Sequence, residues 1–119
     1  MNQVNIYALI DPRDGRCRYV GKTKNDLEKR LRGHINDAKR RPGEIARFRW
    51  INALAKSGVV PLIKTLEVVS PDDWQAAEQM WIHEMRARFP GLLNGTDGGD
   101  GIHGYQHSMA ARRKIAEAH

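Results

Sequence analysis

Six residues along this chain carry side chains suited to chemistry on a charged substrate: Tyr7, Tyr19, Arg30, His34, Glu78 and Asn94. Phenols and an imidazole exchange protons, a guanidinium grips anions in a forked geometry, a carboxylate suits a hard cation, and an amide braces its neighbours. Several other motif-like strings fail on context. His83-Glu84 opens like a zinc-protease helix, but the fifth position is Ala87, which cannot ligate metal. Gly99, Gly101 and Gly104 have dinucleotide-fingerprint spacing without a preceding strand or a helix opening on the last glycine. Asn94-Gly95-Thr96 fits a glycosylation sequon, which needs a secreted chain that nothing else indicates. The five histidines and single cysteine lack zinc-finger or ribbon spacing, so any metal is expected to be catalytic and oxygen-bound.

The elements that must position the six residues follow from periodicity and turn chemistry. Residues 3 to 10 are strand-prone around Val4, Ile6 and Ile10, Asp11 to Gly15 supply a turn, and Cys17 to Val20 return as a second strand. If Ile10 faces Arg16 across this loop, Tyr7 faces Tyr19 directly. Thr23 with Asp26 forms a capping box, and Leu27, Leu31, Ile35 and Ala38 predict a helix from about 24 to 40. Arg30 and His34, four apart, flank its apolar stripe and project together from the edge of the buried face. After Pro42-Gly43, Ile45, Phe48, Ile51 and Leu54 predict a second helix, kept basic by Arg47, Arg49 and Lys56 and ending at Ser57-Gly58.

Pro61 to Val69 reads as the most apolar strand and is expected to be well buried. Ser70-Pro71-Asp72-Asp73 has the chemistry of a helix start, and Trp74, Ala77, Trp81, Ile82 and Met85 mark the buried stripe beside Glu78. The fold class is therefore mixed α/β, a three-stranded, mainly antiparallel sheet flanked by three helices in a single small domain. Beyond Pro90-Gly91 lies a glycine-rich loop, and His107 to Ala116 read as an N-capped basic helix that stops early, as in a fragment of a longer protein.

At 119 residues the chain is long enough for one core. A lone Cys17 fits a reducing compartment, no stretch approaches the roughly 18 apolar residues of a membrane span, and the start lacks signal-peptide order. A cytoplasmic, membrane-free setting is expected. The net charge is +6, and residues 22 to 41 alone hold eight Lys or Arg against three acids. Lys22, Lys24, Lys29 and Arg32 on this segment suggest a polyanion-binding face.

Asn5-Ile6-Tyr7, then Tyr19-Val20-Gly21, Arg30 and His34 in one helix, Glu78 in a later one and Asn94 beyond resemble the GIY-YIG nuclease pattern. The resemblance covers roughly residues 3 to 96. Asn5 stands where the first triplet has glycine, and Val20 replaces isoleucine in the second. It implies a DNA endonuclease domain over 1–96, with 97–119 as loop and basic tail. Tyr7, Tyr19, Arg30 and Glu78 would form one shallow site, with Glu78 holding Mg²⁺ or Mn²⁺, and no small-molecule cofactor is expected. Physical chemistry gives matching roles: Arg30 clamps phosphate, His34 donates to phosphate or relays a proton, and Asn94 braces the site. Tyr7 takes a proton from the attacking water if metal and arginine lower its reference pKa of about 10. Residues 36 to 50 contain no further histidine, which some family members use catalytically. The tail, with Arg112, Arg113 and Lys114, is similar to a DNA-binding repeat of phage and intron-type homing endonucleases.

Ordinary roles compete with each assignment. Tyrosines pack in strands, Arg30 and His34 could lie on a solvated helix face, and Glu78 could pair with Arg30 or Lys29. A non-catalytic nucleic-acid-binding module would use the same basic face, and a scaffold domain would bind no DNA at all. The sequence leaves the DNA target and the oligomeric state open.

Overall fold

Strand β1, Val4–Ile10, is apolar on both faces: Val4, Ile6 and Ala8 point one way, Tyr7 and Leu9 the other, and all five are buried. A strand covered on both sides belongs in the middle of a sheet. In the computed structural model, in which residues 3–95 are described, β1 lies between β2, Cys17–Thr23, and β3, Leu62–Val69, and pairs antiparallel with both. Helices α1, Leu27–Arg40, and α2, Ala46–Lys56, cover the Tyr7 and Leu9 face with Ala38, Phe48, Trp50, Ile51 and Leu54. Helix α3, Trp74–Arg88, covers the opposite face with Ala77 and Ile82. The fold is thus a three-stranded antiparallel sheet flanked by three helices in one small domain, as the sequence predicts. Among the described residues no helix is long and apolar enough to cross a membrane. The predicted basic tail with Arg112, Arg113 and Lys114 lies outside the described residues.

Several local expectations need correction. The hairpin register places Tyr7 opposite Gly21 and Leu9 opposite Tyr19, so the two tyrosines are diagonal rather than direct neighbours. Two one-residue offsets add up: Ile10 pairs with Cys17 rather than Arg16, and a bulge leaves Arg18 over between that pair and Leu9 with Tyr19. The first helix starts later than predicted, because Asp26 is its N-cap and accepts from the Lys29 amide at 2.7 Å. Thr23 ends β2, where its hydroxyl instead accepts from the Asn25 amide. The third helix starts at Trp74, since Ser70 to Asp73 close a turn of their own through Asp73 N–H to Ser70 C=O. Strand β3 is an edge strand, and it is not well buried; Leu62 and Val68 are each about half exposed.

The loop end of β1 is fixed by Asp11. Its carboxylate is almost fully buried and accepts from the Trp50 indole at 3.0 Å and from the Arg13 backbone and guanidinium. Bonding to Arg13 and Trp50 outweighs burial and holds this carboxyl well below the usual carboxylate range. Asp11 therefore joins the hairpin turn to α2. Asp11→Ala leaves the buried Trp50 N–H unpaired and is expected to cost about 1–3 kcal/mol in urea unfolding; an unchanged midpoint would show that the indole finds another acceptor.

Candidate active site

Tyr7 leaves β1 on the face that α1 covers, and α1 answers with Arg30 and His34, one turn apart on its inner side. Tyr7 Oη lies 2.6 Å from His34 Nε2, and Arg30 Nε donates to the same oxygen at 3.1 Å. A guanidinium only donates, so the phenol accepts from Arg30, and its bond to His34 runs in the direction that the imidazole tautomer sets. The Tyr19 ring completes the group, 6.4 Å from the Tyr7 ring and 5.5 Å from His34, which meets it edge-on.

Gly21 makes this arrangement possible. A Cβ at Gly21 would stand 2.5 Å from Tyr7 Oη and 2.9 Å from Tyr19 Cε2, so the Tyr7 phenol lies across the one place on β2 with no side chain. Arg47, in the first turn of α2, lays its guanidinium carbon 4.4 Å from the centre of the Tyr19 ring. Glu78 approaches from α3, near enough for its charge to act on the Tyr19 phenol.

Burial dominates the acid-base behaviour here. Desolvation, helped by the neighbouring Tyr19, pushes the Tyr7 phenol up despite the opposing pull of Arg30 and Arg47. With arginine alone beside it, the phenol is thus raised rather than lowered, because burial disfavours the phenolate more than the arginines favour it; the lowering expected from the sequence required a metal as well. Tyr19 is raised as well, by burial first, with Arg47 and Arg30 opposing and Glu78 adding to the rise. His34 is pushed down to about 3, by burial first and then by the two arginines. Arg30 is raised above its ordinary value: its desolvation opposes, and Tyr7, Tyr19 and the Asp37 carboxylate outweigh it.

Asn94 occupies a different place from the rings. Its Oδ1 accepts from the Val20 amide at 2.9 Å and its Nδ2 donates to the Val20 carbonyl at 2.8 Å, so the side chain acts as a partner strand on the outer edge of β2. Leu93 N–H to Arg18 C=O and Arg86 to the Asn94 carbonyl hold that clamp in place. Of the four basic residues expected to face DNA, Lys22, Lys24, Lys29 and Arg32, all are exposed, and the Lys22 amine sits 4.5 Å over the Trp74 ring. Sequence reasoning gave no role to Gly21 or Arg47. For Gly21 the signal was available, since a glycine two residues from Tyr19 sits across from Tyr7 once the bulge is allowed. Arg47 is next to the buried Phe48, which places it at the border of the covered face of α2.

The GIY-YIG catalytic domain model matches residues 3–90, well over half of the chain. The chain belongs to the GIY-YIG family. Its activity class is accordingly that of a nuclease, of the endonuclease kind. The match takes in Tyr7, Tyr19, Arg30, His34 and Glu78 and stops short of Asn94. No curated protein and no solved structure gives a match to this GIY-YIG chain.

Two consequences of the geometry can be measured. Gly21→Ala forces a methyl group into the Tyr7 phenol and is expected to destabilise the domain by about 1–3 kcal/mol, whereas an unchanged urea midpoint would mean that the ring has room to move. As pH falls below 6.5, the unfolded chain protonates His34 while the folded chain resists until about pH 3. Stability from this group is thus lost on acidification, by about 1.4 kcal/mol per pH unit within that window. His34→Gln should flatten that part of the pH profile; an identical slope in the variant would mean that His34 is not the group responsible.

Proposed function

We propose that this domain is a Mg²⁺- or Mn²⁺-dependent DNA endonuclease whose proton acceptor is the Tyr7 and His34 pair. The observation that carries the reading is the hydrogen-bonded chain that joins Arg30, Tyr7 and His34. Hydrolysis of a phosphodiester requires a water to attack phosphorus, a group to take its proton, and cations opposite the growing negative charge. Tyr7 Oη takes the proton from that water as its own proton passes to His34 Nε2, so no free phenolate has to persist in the dry slot. Tyr19 orients the water beside Tyr7. Arg30 uses Nε on Tyr7, and its remaining N–H groups face the phosphate.

The weak basicity of His34 also fits a substrate-dependent relay. Arg30 and Arg47 help to depress it, and a bound phosphate offsets both cations, which makes the imidazole a better acceptor when substrate is present. Among the described residues no three His, Cys, Asp or Glu side chains are grouped to hold a metal ion. Glu78, half-buried and within electrostatic reach of Tyr19, is the carboxylate that would hold one, with phosphate oxygens and waters as the other ligands. When bound, such an ion supplies charge stabilisation at the phosphate. Asn94 braces β2 and thereby fixes Tyr19.

DNA is the proposed partner. The exposed Lys22, Lys24, Lys29 and Arg32 would meet the phosphate backbone, with Arg112, Arg113 and Lys114 adding contacts in the manner of a homing endonuclease tail. A cytoplasmic setting with access to DNA is the one proposed. Supercoiled plasmid incubated with the wild type should be nicked or linearised with Mg²⁺ and left intact with EDTA. Glu78→Ala should slow cutting on the order of 100-fold or more. Binding with a steep salt dependence and no cutting under any divalent metal would replace this reading with a DNA-binding module.

A further inference from the structure

Most arginines that the structure pairs lie on the surface and have carboxylates beside them. Arg13 meets Asp11, Arg16 meets Asp14, Arg40 meets Asp37 and Arg41 meets Glu44. Arg47 differs: it is half-buried, its Nε is shielded from solvent without a hydrogen-bond partner, and it forms no ion pair among the described residues. Its contacts are aromatic faces, the Tyr19 ring at 4.4 Å and the Phe48 ring at 5.3 Å. Withdrawing a guanidinium N–H from water without an acceptor is costly, and such groups are normally found paired. Arg18, the other arginine with an unpartnered Nε, lies against Gly91 at the opposite end of β2's edge clamp.

The position of Arg47 tells what the missing partner is. Its charge acts on Tyr7, Tyr19 and His34 together, the three rings around which the proton relay is built. Arg30 approaches the same rings from α1, and it too makes no ion pair among the described residues. Two cations from two helices therefore flank the phenols, and neither forms an ion pair among the described residues. An anion with several oxygens fits that arrangement, because each guanidinium offers N–H donors in a plane.

We propose that Arg47 is a second phosphate-binding arginine of this nuclease site, taking a non-bridging oxygen of the DNA backbone while Arg30 takes another. The assignment rests on the nuclease reading above and adds to it a residue from α2. Stacking on Tyr19 and Phe48 fixes the guanidinium plane before substrate arrives, so little side-chain freedom is lost on binding. It also places the phosphate beside Tyr19, next to the oxygen that takes the proton from water.

The test uses the full chain and two variants, Arg47→Met, which keeps the apolar stem against Tyr19, and Arg47→Lys, which keeps the charge. Inorganic phosphate is titrated while the arginine Nε–Hε and Tyr19 ring signals are followed by NMR, and plasmid cleavage with Mg²⁺ is timed in parallel. Phosphate is expected to move the Arg47 signal in the wild type, and the Tyr19 response should vanish in Arg47→Met. Cleavage by Arg47→Met should be on the order of 100-fold slower, chiefly in kcat, with Arg47→Lys between it and the wild type. Wild-type cleavage rates in Arg47→Met overturn the proposal. So does equal loss in both variants without any phosphate response at Arg47, which would make the residue a packing support for Tyr19. A wild type that binds phosphate at Arg47 yet cuts no DNA supports the anion site and overturns the nuclease reading alone.

Discussion

A buried phenol held between a cation and a neutral imidazole is the constraint around which this domain is arranged. The Tyr7 oxygen can satisfy both Arg30 and His34 only if β1 lies in the sheet centre and α1 crosses it at one particular turn. Asp26 sets where that helix begins, and this decides which residues face inward: His34 and Ala38 are buried, while Arg32 and Lys39 are exposed. Gly21 then leaves the room in which the ring lies. A shift of one residue in the hairpin would put Lys22 or Val20 across from Tyr7 and close the slot.

The same burial that orders these groups makes them poor acids and bases when taken singly. Tyr7 holds its proton too tightly and His34 accepts one too weakly, and the directions are opposite because desolvation disfavours the phenolate and the imidazolium alike. Coupled through one hydrogen bond, the two need only pass a proton along, and neither has to stay charged. Two arginines that form no ion pair among the described residues complete the electrostatic environment of these groups. Perturbed groups gathered in one place are a common mark of a functional site.

Much of the layout could be read from the chain. Strand-prone runs at 3 to 10, 17 to 20 and 61 to 69, helical spacing from Leu27 to Ala38 and the apolar positions of α2 and α3 were enough for three strands and three helices. The ordered set of two tyrosines, Arg30, His34 and Glu78 was enough for the family. What could not be read was local competition. Arg18 could be left over in the hairpin or paired, and only packing of Cys17 and Val20 against the α3 side decides for the bulge. Thr23 and Asp26 are both good caps, and the sheet claims Thr23. Apolar content suggested a well-buried β3, yet β1, with apolar side chains on both faces, holds the centre and leaves β3 at the edge. Protonation was less legible still, since it depends on how deeply Tyr7 is covered by residues more than twenty positions away.

Asn94 has a consequence for where the folded unit ends. The family match stops at residue 90, but the hydrogen bonds along the outer side of β2 are supplied by Leu93 and Asn94. A chain cut at residue 90 would expose the Val20 amide and the carbonyls of Arg18 and Val20 as an unprotected strand border, the kind of surface onto which another molecule can add a strand. The amide of Asn94 thus serves as a molecular hem: it finishes the sheet on one side and keeps the domain from being extended by its neighbours.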